Sequence, residues 1–523
     1  MSLAETRLLA RRCPACRRRE PALRLSRRTW EGWPRHCFGP EMDGVRGSVP
    51  SGGNRKGLST VAGLAFGLTH SSEELSVMEG ERRGQAIQAS SFGQPENSGR
   101  DRVGEPKSKD KPFNISKWLV WEAYQRVKAN QGAPGVDGCS IEDFEADLKN
   151  NLYRVWNRMS SGSYFPPPVK AVEIPKPQGG VRILGVPTVA DRVAQTVVAM
   201  ELEKRVEPMF HPDSYGYRPS RSALDAVGTC RERCWKYDWV VDLDIRKFFD
   251  SVDHDLMVKA VEANTDLPWV VLYVKRWLIA PIQYSDGSLH ERDRGTPQGS
   301  AVSPILANLF LHYAFDLWMD RTFPGVLFER YVDDGVVHCV SKQQAEMLRD
   351  AIDQRMVEVG LRLHPDKTRL VYCKDSNRRD KVDNVSFTFL GYTFRPRRAR
   401  NKRKGVNFTS FQPAMSRNKL IEKSREVRRW RLHRRPNDTL RDLAHAINPI
   451  VRGWMTYWGQ FYRTEMDSLL KRINTYLMRW ARKKYKRLRG FKRLKAWWIR
   501  VTQRAPNLFA HWAWTHRFHP TGW

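Results

Sequence analysis

Two apolar runs in this chain end in carboxylates. In "RYVDDGVV" (330–337) Asp333 and Asp334 stand side by side, and in "VVDLDIRKFFDSVDHD" (240–255) Asp242 and Asp244 close a stretch of valine and leucine. Neither run offers a histidine or thiolate cluster, so the donors are oxygens, which suit hard cations, Mg²⁺ above all with Mn²⁺ as the substitute, and disfavour zinc. A pair of such ions about 4 Å apart, held by aspartates, activates an attacking hydroxyl and stabilises the leaving oxygen in phosphoryl transfer.

That chemistry requires elements that bring the two runs together. "FERYVDDGVVHCV" (328–340) has β-branched and aromatic residues on both sides of the turn signal Asp334-Gly335, which predicts a β-hairpin with the aspartates at or beside its tip. "WVVDLDI" (239–245) predicts a strand on which Asp242 and Asp244 share a face by the period of two; the spacing does not say which of them joins Asp333 and Asp334. "TVADRVAQTVVAMELEKRV" (188–206) places Val189, Val193, Val197 and Met200 at helical spacing. An isolated Asp-Asp-Gly is ordinary turn chemistry; the second acidic strand end is what favours a metal centre.

The composition points the same way. The 523 residues carry 90 Lys and Arg against 57 Asp and Glu, a net charge of +33, which is the footprint of a surface that binds a polyanion, nucleic acid first. Nucleotidyl transfer on a nucleic acid is the reaction that fits both features. No apolar run is long enough to span a bilayer, so no membrane partner is expected. The eight cysteines, at 13, 16, 37, 139, 230, 234, 339 and 373, follow no repeating spacing. They suit a reducing, cytoplasmic setting, nucleoid-associated if the source is bacterial. An organellar address in the Arg-rich opening is the weaker alternative.

Residues 1–110 are rich in Gly, Ser and Arg with few periodic apolar positions, and read as a disordered or non-native extension. Cys13, Cys16, His36 and Cys37 could be arranged as zinc ligands, although the adjacent last pair and the surrounding arginines disfavour it. A folded pattern begins near Pro112. After about 395 the chain turns into basic segments read as long helices without a convincing strand: "RPRRARNKRK" (395–404) has seven basic residues in ten, and 471–500 holds 13 Lys or Arg and no acid. Trp454, Tyr457, Trp458, Trp480, Tyr485, Trp497 and Trp498 are interleaved with these charges. Basic surface with stacking aromatics suits structured RNA and a primer-template duplex.

"YVDD" and "DIRKFFDSVDH", with "RGTPQGSAVSPILANLFL" (294–311), "LRLHPDKTRLVYC" (361–373) and "FLGYTF" (389–394), resemble the ordered blocks of a reverse transcriptase palm. Upstream "ANQGAPGVDG" (129–138), "VEIPKPQGGVRILGVPTVADRVAQTVV" (172–198) and "HPDSYGYRPSRSALDAV" (211–227), and downstream "INPIVRGWMTYWGQFY" (447–462), narrow the resemblance to the group II intron-encoded reverse transcriptase and maturase family, over about 112–515. The fold this implies is α+β. It comprises an N-terminal extension and fingers (111–228), a right-hand polymerase palm with an antiparallel sheet (229–394), and an α-helical thumb and maturase region (395–523) without an endonuclease domain.

The resemblance also implies roles. Asp244, Asp333 and Asp334 are the metal-binding triad, with the Ile245 carbonyl as a further ligand. Phe249 is the aromatic that collides with a ribose 2′-hydroxyl, while Phe248 is expected in the core, on the argument that neighbouring strand residues face opposite ways. Lys176 and Arg182 grip the incoming triphosphate, Gln298 meets template and nucleotide, and Lys367 is the general acid for the leaving pyrophosphate. Ser303 is expected to cap and Pro304 to begin a helix with Ile305, Leu306, Leu309, Phe310 and Tyr313 on its buried side. For RNA the candidates are Arg397, Arg398, Lys402, Arg403, Arg428, Arg429, Lys483, Lys484, Lys486 and Arg487. The implied partners are group II intron RNA, an RNA template with a DNA primer, deoxynucleoside triphosphates and target DNA.

Three positions depart from the family pattern. Val332 stands where Ala is usual, and Lys247 and Ser300 stand where Gly is usual. The leading expectation is a polymerase and maturase serving its own intron, with splicing and retrohoming as the outcome. The alternatives are a free-standing relative recruited to DNA repair and a splicing cofactor with a decayed polymerase.

Overall fold

The computed structural model describes residues 111–175, 179–401 and 403–518. The expectations for residues 1–110, for Lys176 and for Lys402 therefore fall outside the described residues.

The order is α+β, as expected. Eleven strands are described: β1 Val169–Pro175, β2 Val181–Val186, β3 Trp239–Asp244, β4 Ile282–Gln283, β5 Leu289–His290, β6 Phe328–Tyr331, β7 Asp334–Cys339, β8 Arg369–Tyr372, β9 Phe387–Phe389, β10 Tyr392–Arg400 and β11 Asn407–Met415. They form three sheets, ordered β2-β1-β4-β5, β6-β7-β3-β8 and β11-β10-β9. The second sheet carries the carboxylates. Its β3 is paired on both edges, antiparallel to β7 and β8, and is buried along nearly its whole length, which is why apolar residues precede and separate its two carboxylates.

The helix Val189–Val206 forms where the spacing places it. Thr188 caps it, accepting the Asp191 N–H. Asp191 is fully buried, and its carboxylate accepts from Tyr164 Oη (2.9 Å), Trp277 Nε1 (2.7 Å) and Gln195 Nε2 (2.9 Å), while burial raises its pKa to about 6. Gln195 then accepts the Ala301 N–H at 2.8 Å, tying this helix to the loop before Ser303.

Two expectations about the C-terminal half are corrected. The basic stretch after 395 begins as strand: β10 and β11 pair over nine residues from Tyr392↔Met415 to Arg400↔Asn407, so a boundary at 394/395 cuts a strand. Burial along β10 is uneven, with Phe394 and Arg397 buried and Arg395 and Arg398 exposed, and Arg395 and Arg397 share the face that meets Glu465. The core also runs through the boundary, from Cys230, Val336 and Val371 through Phe394 and Phe411 to Trp480 and Trp512. The expected helices follow, Arg417–Arg429, Leu440–Trp458, Asp467–Lys484 and Phe491–Arg504. Their tryptophans are mostly core rather than stacking platforms: Trp454, Trp458, Trp480 and Trp498 are buried, with Tyr457, Tyr485 and Trp497 packed against them. Helical spacing turned those indoles inward, where their area outweighs any gain from waiting for a base. No helix among the described residues is long and apolar enough to cross a membrane.

Candidate active site

The hairpin β6–β7 turns two positions earlier than the Asp-Gly signal suggests. Tyr331 pairs with Asp334, so the two-residue turn is Val332-Asp333 and Asp334 already belongs to β7. Val332 sits at φ +60°, in the left-handed region where a β-branched residue is strained by about 1–2 kcal/mol. Asp334 lies opposite Asp244 on β3, and Asp242, two residues back on the same face, lies opposite Val336. The strand period and this register bring four carboxylates together.

Their electrostatics call for a cation. Burial first, then the nearby Asp242 and Asp333 charges, pushes the Asp334 carboxyl well above the usual range, against one backbone N–H donated by Leu390. Burial likewise raises Asp333, which the Asp244 charge raises further and Arg182 and Lys367 oppose. Asp242 is raised to about 7 by burial, with Arg369 opposing and Asp244 adding. The protein supplies part of the missing charge itself, since Lys367 Nζ lies 2.9 Å and 3.1 Å from the two Asp244 oxygens. A cluster of oxygen donors that destabilise one another as anions is what a hard divalent cation fits. The Asp244 carbonyl accepts the His364 N–H at 2.8 Å, whereas the neighbouring Ile245↔Leu363 bridge is held by flanking residues, with no bond to the Ile245 carbonyl among those described.

The remaining expected residues converge from three directions. Arg182 on β2 donates through Nε to Gln298 Oε1 and stands close enough to Asp333 to stabilise its charge. The Gln298 loop is pinned by Gly185 N–H to the Gln298 carbonyl (2.7 Å) and by Thr296 N–H to the Phe249 carbonyl (2.7 Å). Gly185 and Gly299 allow this approach: a Cβ on Gly299 would lie 2.6 Å from the Gly185 carbonyl oxygen. Ser303 does not cap its helix. Its Oγ donates instead to the Pro297 carbonyl (2.9 Å) and meets Thr296 Oγ1 (2.7 Å), closing the loop on itself, and Pro304 stands in the first turn as expected. The helix Ser303–Leu311 is buried nearly all round, with Ile305 only half-buried, so the one-sided face is corrected as well.

Phe248 is buried and Phe249 half-buried, as expected, but not for the expected reason. Phe248–Ser251 is a turn of helix, entered through Lys247 at φ +48°, rather than a strand. Lys247 and Val332, two of the three departures from the family pattern, thus both occupy left-handed backbone. The third, Ser300, is buried, with an Oγ that finds no hydrogen-bond partner among the described residues.

Sequence reasoning overlooked three contributors. "FLGYTF" is a hairpin whose turn, Leu390-Gly391, has φ +51° and +80°, and it is Leu390 that reaches Asp334. Tyr457 Oη, from the helix Leu440–Trp458, donates to the Leu390 carbonyl at 2.8 Å, so the C-terminal region touches the site through one residue. Arg330 and Asp316 lie behind the aspartates as a buried pair. Arg330 was visible inside "RYVDD", but nothing marked Asp316.

The RNA candidates divide. Arg398, Arg403, Arg428, Arg429, Lys483, Lys486 and Arg487 are exposed. Arg397 is buried, paired with Glu465 and donating to the Gln412 and Thr393 carbonyls, and Lys484 Nζ donates to the Asp438 carbonyl at 2.6 Å. These two are structural: alternation and helix phase turned them into the protein. Elsewhere, Cys230, Glu329 and His338 bring potential ligand atoms within 4.8 Å of one another. The Glu329 carboxylate is already engaged there by Arg233 and His338, both at 2.7 Å, which makes a hydrogen-bonded network rather than an ion cage.

Comparison with known proteins identifies two families along the chain. Residues 174–394 match the reverse transcriptase (RNA-dependent DNA polymerase) family and residues 422–498 the group II intron, maturase-specific domain. The chain is 31% identical to Protein YkfC of Escherichia coli over 54% of this chain and 81% of that protein. It is 28% identical to the group II intron-encoded protein LtrA of Lactococcus lactis over 50% of this chain and 44% of that one. A shorter match, 32% identical over 14% of this chain and 11% of the relative, is to Nuclear intron maturase 1, mitochondrial, of Arabidopsis thaliana. The chain thus spans most of the first relative and less than half of the other two.

Proposed function

Because this chain belongs to the family of group II intron-encoded reverse transcriptases and maturases, we propose that it copies RNA into DNA with Asp244, Asp333 and Asp334 as metal ligands, and that it also binds intron RNA to promote splicing. The observation that carries this reading is the register that sets Asp244 opposite Asp334 beside the turn residue Asp333, faced by Lys367 and Arg182. Bound divalent cations, two Mg²⁺ or Mn²⁺ in their place, supply the charge that activates the primer hydroxyl and steadies the departing pyrophosphate.

The chain's own residues do the rest. Arg182, with Lys176, binds the triphosphate through its planar fork, and Gln298 orients the nucleotide against the template. Phe249 excludes a 2′-hydroxyl from the nucleotide pocket. Lys367 carries the proton for the leaving group. The exposed basic residues Arg398, Arg403, Arg428, Arg429, Lys483, Lys486 and Arg487 hold intron RNA and the primer-template duplex by their phosphates. Residues 111–228 act as extension and fingers, 229–394 as palm, and the region beyond, joined through β10, as thumb and maturase. Target DNA supplies the primer end.

The test is primer extension on an RNA template with Mg²⁺ and deoxynucleotides, beside Asp333→Ala plus Asp334→Ala. Extension by the parent and none by the variant, with RNA binding retained in both, is the expected result. A folded, RNA-binding parent that extends nothing would transfer the chain to the splicing-cofactor class.

A further inference from the structure

The aspartates are carried on a turn whose backbone resists the shape it holds, so something must hold it. Val332 is left-handed and only 3% exposed. Behind it lies Arg330, 2% exposed, and each of its five N–H groups can be matched to an acceptor. Nε donates to Asp316 Oδ1 (2.7 Å) and Nη2 to Asp316 Oδ2 (2.6 Å) and Ser214 Oγ (2.8 Å). Nη1 donates to Asn308 Oδ1 (3.2 Å) and to the Val332 carbonyl (3.1 Å). Asn308 in turn donates to the Gly216 carbonyl at 2.6 Å. Gly216 is the wall against Val332: a Cβ there would lie 2.6 Å from Val332 Cγ2. One guanidinium therefore holds the turn directly and holds its packing surface through Asn308.

The acceptor that orients Arg330 comes from an unusual element. Asp316 ends a five-residue π-helical segment, His312–Asp316, wedged between the helices Ser303–Leu311 and Leu317–Thr322. Such segments re-aim side chains that a continuous α-helix would point elsewhere, and they recur at functional sites. His312, whose Nδ1 is 4.0 Å from Asp316, is kept neutral by burial, its pKa lowered to about 4, so the charge that meets Asp316 is that of Arg330.

We propose that Arg330 is a positioning residue for nucleotidyl transfer. Anchored by Asp316 of the π-segment, it holds Val332 left-handed and thereby sets the direction in which Asp333 and Asp334 present their oxygens to metal. This rests on the metal-dependent polymerase reading and names the device that aims its ligands. A fork with five donors is required: lysine keeps the charge opposite Asp316 but has three donors and no planar geometry.

The experiment uses the full-length protein and two variants, Arg330→Lys and the double variant Arg330→Met plus Asp316→Leu. The double variant replaces the buried pair by apolar groups of similar volume and so keeps the fold without the clamp. Mn²⁺ binding is followed by electron paramagnetic resonance, without nucleic acid, beside steady-state primer extension. Both variants are expected to bind Mn²⁺ about tenfold or more weakly and to lose about 10²-fold in kcat, with the nucleotide KM and RNA affinity within about twofold of the parent. Variants that unfold like the parent, bind Mn²⁺ like it and turn over like it would overturn the proposal. So would a loss shared equally by RNA affinity, KM and kcat, which is what general loosening produces. A parent that binds Mn²⁺ but extends no primer would defeat the polymerase reading, and the Mn²⁺ titration would still decide for or against the clamp.

Discussion

Lys367 Nζ lies 2.9 Å from Oδ2 of Asp244, so a carboxylate proposed to bind metal is held by the protein's own cation. On the proposed reading the lysine competes with a metal for Asp244 and supplies the proton of the leaving group. Lys367→Ala is expected to lower the extension rate by about 10²-fold or more, the usual worth of a positioned general acid, while tightening Mn²⁺ binding in the absence of nucleotide. Equal rates for parent and variant in single-turnover extension would remove Lys367 from the chemistry.

Lys247 enters the Phe248–Ser251 turn at φ +48°, in the open and without a side-chain cap bond. Left-handed backbone costs a lysine about 1–2 kcal/mol and a glycine little, less the greater chain entropy glycine loses on folding. Lys247→Gly should therefore raise stability by roughly 0.5–1 kcal/mol and Lys247→Val should lower it, as read from denaturant midpoints. A destabilised glycine variant would mean that the lysine side chain contributes a contact outweighing the strain.

Phe249 stands half-buried where its backbone carbonyl receives Thr296 N–H and its ring meets Phe248 edge-on at 5.3 Å. Phe249→Ala should relax selection against ribonucleotides by about 10²-fold, measured as the ratio of kcat/KM for ribo- and deoxynucleotide, with deoxynucleotide incorporation less affected. An unchanged ratio would make Phe249 a packing residue only.

Arg397 and Arg398 are neighbours with opposite fates, the first buried against Glu465 and the second in solvent. Arg397→Ala should destabilise the protein by about 2–3 kcal/mol, the low side of the range for a broken buried pair because Glu465 keeps a third of its side chain exposed. The salt dependence of RNA binding should not change. Arg428→Ala plus Arg429→Ala should do the reverse, lowering the slope of log K against log salt by about 0.7–0.9 per arginine. Salt titrations of both variants check this, and identical slopes would sink the assignment of the exposed arginines.

His511 is fully buried with Nε2 2.7 Å from Asn474 Oδ1, and burial lowers its pKa to about 3. The imidazole is neutral in the fold and charges on unfolding. Its contribution is intact above the unfolded value of 6.5 and is lost as pH falls from there towards 3. The loss should approach about 1.4 kcal/mol per pH unit in that window. His511→Gln should flatten the acid limb of stability against pH; parallel limbs would show the ring protonated in the fold.

Much of this was legible in the residues. The carboxylates at two strand ends, the helix at 188–206, the α+β order and the excess of positive charge follow from local spacing and composition, which the chain carries wherever it folds. The order of the short motifs marked Asp244, Asp333, Asp334, Arg182, Gln298 and Lys367, and five of these are joined in the structure by pairing, hydrogen bonds or charge; Gln298 reaches them through Arg182.

What only the tertiary structure decided was which neighbours meet. Alternation assigns faces but not register, and the register moved the turn by two residues, from Asp334-Gly335 to Val332-Asp333. It also separated Arg397 from Arg398, as helix phase buried tryptophans that composition offered to RNA. Asp316 had no motif to mark it. Its place under the aspartate turn comes from a π-segment and from two of the five hydrogen bonds that Arg330 donates, to partners up to 116 residues away in sequence. Such packing is a property of the folded chain, because a buried charge is tolerated only where distant parts of the sequence together supply every bond it needs.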